Sequence, residues 1–473
     1  MGEIALSREQ ALWVKASGSG QGVDVTAFAT AHAVYHTGDA DFTQQATFIP
    51  NAEKRNSRTA LKPIRERFPP GSWGFPTYFK GTSNVGTGPQ TDPLFLAAFG
   101  VKTVRTDTAV ASDGTNTASK ITVDASDGVS RLNTAIMVKK GTANYETAWV
   151  VAHASSDVVT NGSLLSLSPE LGTAPTTGVS VIGSVTYSLI ATSPGDVGVL
   201  KSEGHTSFRQ IGVAVNTLTA NVNGEGVADI EWGGEFMRQY ISPTDALGVS
   251  LATAGVTSMV VAGSADRFMQ GSLVKIGDEV IGVSLDPASS AVATVRGLVR
   301  GIKSTTATAH ATGVAIAPWV PSSLAASKGR PMPGYKGYIE LAGDNLTVVN
   351  SAVTLTNNTK MAVGEKDNSL YVTAYSNPNF RQVAGSLTAF FRTANVRHFQ
   401  DATKQTNREF IIPVGDPNVD GEGQIASIQC RQINFETPAL SGDEEREEAV
   451  NFTAFGLPDT NNDEIRVAFI HSS

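Results

Sequence analysis

The chain has 473 residues, a length that suits about three domains. Hydrophobic residues make up 41% and glycines number 46, enough apolar material for real cores, which excludes a chain disordered throughout. Only 17% of residues are charged, and 36 Lys and Arg against 44 Asp and Glu leave a net charge of −8. That sign argues against wrapping nucleic acid by neutralising its phosphates. The single cysteine, Cys430, excludes an internal disulfide framework and a cysteine-rich metal site.

Along the chain, the opening MGEIALSREQ lacks the charged-then-apolar build of a secretion signal, and nowhere do 18 apolar residues run uninterrupted. The expectation is a soluble protein made in a reducing cytoplasm, with no membrane partner. His32 and His36 stand four apart, but TAFATAHAVYHTGDADF reads as strand or loop, where that spacing holds no metal. The stretch 54-KRNSRTALKPIRER-67 carries Lys54, Arg55, Arg58, Lys62, Arg65 and Arg67 against the lone acid Glu66. With Pro63, Pro69 and Pro70 it cannot be one continuous element, so 54–80 is expected as an arm or long loop touching a neighbouring copy. It runs into 71-GSWGFPTYFK-80, a strand whose Trp73, Phe75 and Tyr78 are counted with the basic residues as an assembly surface. Asp92-Pro93 then opens 94-LFLAAF-99 and Gly100 closes it, which predicts a short helix.

The period is 2 nearly everywhere else. Segments such as 211-IGVAVNTLTANV-222, 346-LTVVNSAVTLTNN-358 and 425-IASIQCRQINFE-436 send apolar residues to one face of a strand. Asn161-Gly162, Asn223-Gly224, Asp420-Gly421 and Ser441-Gly442 mark turns between such runs. The chain reads as mainly β. In the second half, 393-TANVRHFQDATKQ-405 spaces Val396, Phe399 and Ala402 three apart, predicting a short amphipathic helix.

Self-similarity appears at two levels. Residues 136–159 resemble 272–293: each has Val-Lys and a Gly, then an acid (Glu146, Glu279) leading a Val-rich strand. Each continues into a second alternating run ending in Thr-Gly-Val, so two small barrel-like β modules of one plan are expected, docked on a larger body. At longer range, the order strand, short helix, long hairpin occurs at 71–80, 93–99 and 211–236, and again at 383–391, 393–405 and 425–456. The predicted domains are a first one over 1–245, with a small β module inserted at about 131–190, a second small module over 246–320, and a last domain over 321–473.

No G-x-S-x-G elbow, phosphate-cradling Gly-rich loop, H-E-x-x-H or C-x-x-C is present. The stretch 416-DPNVDGEGQIAS-427 matches the first six positions of a calcium loop, but Ser427 stands where a bidentate Glu closes the shell, so a hairpin turn is the better reading. Asn161, Asn345, Asn357 and Asn451 fit the glycosylation pattern, yet without a secretion signal they carry no weight. Neither a cofactor, a metal nor a catalytic group is expected. The acidic hairpin tip 443-DEEREE-448, with Asp443, Glu444, Glu445, Glu447 and Glu448, is read as the counterpart of the basic segment at a contact between copies.

The order of these motifs resembles the tail tube proteins of long-tailed bacteriophages, in their long, duplicated form. The resemblance rests on 57-SRTALKPIRERFPPGSWGFPTYFK-80 before the D-P-L-F-L-A-A-F-G helix, on 346–358, on 381-RQVAGSLTAFF-391 with its helix, and on 407–456. It implies duplicated β-sandwich or barrel domains, each with a flanking short α-helix, whose strands join neighbours into a continuous inner barrel. It implies rings of three copies with pseudo-sixfold symmetry rather than six, stacked into a tube in the virion tail and assembled in the host cytoplasm. Its partners would be the chain itself, the tape measure protein and tail-end proteins, with DNA passing the lumen unbound, and the two small modules would decorate the outside. The alternative reading is a carbohydrate- or surface-binding β module, which needs exposed aromatics on one face; Trp13, Trp73, Trp149, Trp232 and Trp319 are spread through the sequence. A hydrolase with two β domains has no motif behind it.

Overall fold

The computed structural model describes residues 10–471 apart from 19, 52–62, 82–85, 112–115, 125–133, 141–143, 160–161, 287–292, 336–338, 364–368, 417–423, 443–444 and 457–461. The fold is mainly β, built of antiparallel pairings, and the 416–427 turn falls largely outside the described residues. No helix among the described residues is long and apolar enough to cross a membrane.

Alternating apolar residues give two sets of elements. The first comprises β1 (Gln10–Ala16), β2 (Ala33–Val34), β3 (Asp41–Thr43), β4 (Gly71–Tyr78), α1 (Asp92–Phe99), β5 (Val197–Glu203), β6 (Ser207–Asn223) and β7 (Asp229–Phe236). The second comprises β8 (Ile339–Leu341), β9 (Asp344–Leu346), β10 (Val348–Thr356), β11 (Gln382–Phe390), α2 (Val396–Lys404), β12 (Arg408–Asp416), β13 (Gln424–Phe435), β14 (Ala439–Ser441) and β15 (Glu447–Ala454). In the first, β1 pairs with β2 and β5, β5 with β6, β6 with β7, β7 with β4, and β4 with β3. In the second, β8 pairs with β9 and β12, β12 with β13, β13 with β15, β15 with β11, and β11 with β10. The pairing order is the same for seven strands of each set, β14 being the extra one of the second, which pairs with β15, and a helix follows the fourth strand of the seven each time. Among these strands one direct seam joins the sets, β6 meeting β10 from Thr217↔Thr356 to Asn223↔Asn350, and a second link runs through Ser184–Leu189, which pairs with Gly100–Val104 and with Arg466–His471, itself paired with β13.

A single large core lies under these strands. Leu218, Ala220 and Val222 of β6, Ile230 and Trp232 of β7, Val353 and Leu355 of β10, and Val450 and Phe452 of β15 all point into it. At about 25 cal/mol per Å² of apolar area, each large side chain contributes about 1.5–3 kcal/mol. Two expectations change here. Trp73 and Phe75 are 5% and 3% exposed, because in β4 the odd positions Gly71, Trp73, Phe75 and Thr77 face inward; the Trp73 indole N–H donates to the Ala214 carbonyl at 3.1 Å. They are core residues and not an assembly surface. Likewise 71–78 is no arm: β4 lies between β3 and β7.

The helices differ from each other. α1 has Pro93 in its first turn and ends at Gly100 with φ 92°, a left-handed cap glycine adopts at little cost. Its Leu94, Phe95, Ala97, Ala98 and Phe99 are all buried. In α2 the predicted Val396, Phe399 and Ala402 face packs only in part: Ala402 lies against the core and Phe399 edge-on against Phe391, but Val396 is 46% exposed, while His398 and Asp401 are buried. Polar contacts turn the helix. The Glu448 carboxylate of β15 accepts from Asn395 and from His398 Nδ1 (3.0 Å), and Asp401 takes a two-pronged hydrogen bond from Arg408 at 2.7 and 2.9 Å.

The two small sheets also share one order. The first runs Thr108–Ala109, Ser180–Ile182, Ala135–Lys140, Asn144–Val159, Gly162–Ser168, with Lys120–Asp124 at its edge; the second runs Asp245–Ala246, Ala315–Pro318, Leu273–Ile276, Glu279–Val283, Leu298–Ile302. The first sheet therefore occupies 108–182, not about 131–190, since Ser184–Leu189 pairs with Gly100–Val104 and Arg466–His471 in the body. Burial pushes the Glu279 carboxyl up, but hydrogen bonds from Arg300, the Thr308 N–H and His310 outweigh it and hold it at about 2. Both modules dock through apolar contacts, the first by Met137, Trp149 and Ile182 on Ile411, Ile425 and Ile470, the second by Leu273 and Val280 with Trp13 and Leu200.

Candidate functional site: a sheet face without cations

The seam makes one layer of eight strands in the order β3-β4-β7-β6-β10-β11-β15-β14. One face of it is the core. On the other face period 2 places Ser72, Gly74, Pro76 and Tyr78 of β4, Thr217, Thr219 and Asn221 of β6, Ala352, Thr354 and Thr356 of β10, Ala384 and Ser386 of β11, and Asn451 and Thr453 of β15. Short polar side chains pair across strands: Thr219 and Thr354 hydroxyls lie 3.0 Å apart, and Asn221 Nδ2 donates to Asp229 at 2.9 Å.

Charge on this face has one sign. Asp41, Asp229, Glu231, Glu235 and Glu447 occupy paired positions there, and among the described residues no lysine or arginine does. Two hollows lie along it, one of about 410 Å³ on the first half with Asp41, Ser72, Pro76 and Glu231, and one of about 920 Å³ on the second half with Thr354, Ser386, Asn451 and Thr453. Such a surface repels phosphates and offers a polyanion no hydrogen-bonded cation.

The residues expected at an assembly contact fall in several places. Lys54, Arg55, Arg58, Lys62, Asp443 and Glu444 lie outside the described residues. The backbone of Arg65 sits in the short ladder of Phe48–Ile49 with Ile64–Arg65, whose Phe48, Ile49 and Ile64 are 49–58% exposed. Arg67 is tied to the chain itself, donating to the Tyr371 carbonyl at 2.6 Å, and Phe68 stacks on the Tyr371 ring. Tyr78 and Glu445 are exposed, and Glu447 stands on the cation-free face. Glu448 is fully buried under α2, which corrects its place in the contact: alternation along β15 turns it inward when Glu447 faces out.

His32 and His36 do not converge on a site. His32 Nδ1 accepts the Ala29 N–H at 2.9 Å, and His36 Nδ1 donates to the Gly38 carbonyl at 2.6 Å. What the sequence did not reveal are the ends of the layer. β3 and β14 each pair on one side only among the described residues, and three-residue strands are too short to display a period. Neither a protein-family model nor a curated protein matches the chain.

Proposed function

We propose that the chain is the structural subunit of a hollow tube through which DNA passes, of the kind formed by the duplicated tail tube proteins of long-tailed bacteriophages. The observation that carries this reading is the eight-strand face with five carboxylates and, among the described residues, no lysine or arginine at its paired positions, backed on its other side by a continuous core. A conduit must not hold its cargo, and acids with short neutral side chains let a duplex slide. The repeated pairing order supports two tube-fold units per chain, so that three copies close a pseudo-sixfold ring. In that reading the protein belongs to the virion tail, the tape measure and tail-end proteins are its partners, and the small modules lie outside.

Negative-stain electron microscopy of purified protein tests it. Hollow tubes or rings of uniform diameter are expected, and monomers under every assembly condition would overturn it. One observation favours a second reading, a glycan-binding module: Phe380 is 96% exposed beside a groove of about 850 Å³ lined by Asn377, Asn379, Arg381, Asn462 and Glu464. Dispersed protein binding to arrayed glycans, lost in Phe380→Ala, would support it.

A further inference from the structure

The direct seam between the two sets, β6 against β10, has counterpart edges that pair with no strand among the described residues. In the seam, β10 contributes its free side, the other side being taken by β11. The strand in the same place in the first set is β3, held by β4. The partner in the seam is the far end of β6, which runs along β7. Its counterpart is β13, whose course along β15 is continued by Glu436, donating its N–H to the Asn451 carbonyl at 2.9 Å, and by β14, from Ala439↔Ala449 to Ser441↔Glu447. β3 and β14 thus stand at opposite ends of the eight-strand layer.

From this we infer that β14 of one copy pairs antiparallel with β3 of a second copy, repeating between chains the seam that β6 and β10 make within one. The inference rests on the reading of the layer as a wall element and adds which edges meet. Exposure agrees. Ala439, Leu440 and Ser441 are all exposed, as are Asp41 and Thr43 and, just beyond, Gln45, Ala46 and Thr47. Their side chains are mostly small or polar, like the Thr, Asn and Ala of the internal seam, so the contact is made by backbone N–H and C=O groups that an edge otherwise leaves to water. Two different edges meeting head to tail form a contact that closes into a ring when the rotation permits.

Paired cysteines in the full chain test it. Cys430 is fully buried, and burial pushes its thiol up, so it does not compete. Thr43→Cys is combined with Ala439→Cys and, in a second variant, with Ser441→Cys to cover two registers. Oxidation of assembled protein is expected to give covalent multimers in at least one double variant, with a yield at least tenfold above either single variant. In the unmodified protein, amide exchange at 41–43 and 439–441 is expected to slow at least tenfold on assembly, which needs no substitution. Tubes whose edges neither cross-link nor gain protection would overturn the inference and leave the proposed function standing. Protein that never assembles would overturn both.

Discussion

The two sets of strands share a pairing order but are closed by different chemistry. In the first, α1 seals the core with apolar side chains: Phe95 stacks on Tyr187 at 4.9 Å and meets Trp232 and Phe469 edge-on at 5.0 and 5.1 Å. In the second, α2 is fastened by carboxylates, Glu448 under Asn395 and His398, Asp401 against Arg408, and Asp344 against Arg397 at 2.6 Å. The strand β8 beside it adds Glu340, 7% exposed, near Glu409 and Asp344. Apolar closure carries no titrating group, whereas closure by charged groups responds to pH and is screened by salt. One topology can therefore carry a permanent half and a condition-sensitive half.

The largest effect separating them is Phe95→Ala. It removes a ring from a fully buried cluster and is expected to cost about 3–5 kcal/mol at all pH values, read as a shift of the denaturation midpoint. If the loss depended on pH, the apolar account of the first half would fail. Next is Glu448→Ala, expected to cost about 2–3 kcal/mol, because the Asn395 and His398 donors lose a buried acceptor. A double-mutant cycle with His398→Phe sharpens it: a coupling energy of about 1–2 kcal/mol is expected if the two groups act on each other.

Glu340 tests the condition-sensitive half directly. Burial, then the carboxylates of Glu409 and Asp344, raise it from 4.5 to about 7. An acid that binds its proton more tightly when folded stabilises the fold at low pH. That contribution is whole below about 4.5 and is lost as pH rises through about 7. Glu340→Gln is therefore expected to leave stability at pH 4 nearly unchanged and to raise it by about 2 kcal/mol at pH 8, measured by urea denaturation at both pH values. A variant equally stable with the parent at pH 8 would remove Glu340 from the account.

How much of this was readable beforehand follows from the same contrast. The strands and α1 were legible because period 2, Asp92-Pro93 and Gly100 are local signals, and β4, α1 and the long hairpin β6–β7 stand where they were expected. The inward face of Trp73 and Phe75 follows from the same alternation, which sends Ser72 and Tyr78 to the exposed side of β4. The side of α2 could not be read from its own residues, since what turns it is Glu448, fifty positions further on. The cation-free face needed the seam between β6 and β10, a pairing of residues more than a hundred positions apart, and its open ends lie in strands of three residues.

Val396 gives the smallest effect and the most direct test of how α2 sits. The sequence pattern makes Val396 an anchor of the helix, and its loss would then cost about 1–3 kcal/mol, as for other core truncations to a charged residue. In the structure it is 46% exposed in the first turn of α2, with His398 and Asp401 turned inward in its place. Val396→Glu puts a carboxylate near the positive end of the helix dipole, a favourable position by about 0.3–1 kcal/mol, and glutamate also has the higher helix propensity. The variant is therefore expected to be unchanged or slightly more stable, within about 0.5 kcal/mol of the parent in urea denaturation. A loss above 1 kcal/mol would mean that Val396 packs as Phe399 and Ala402 do, and the polar fastening of the second half would have to be redrawn.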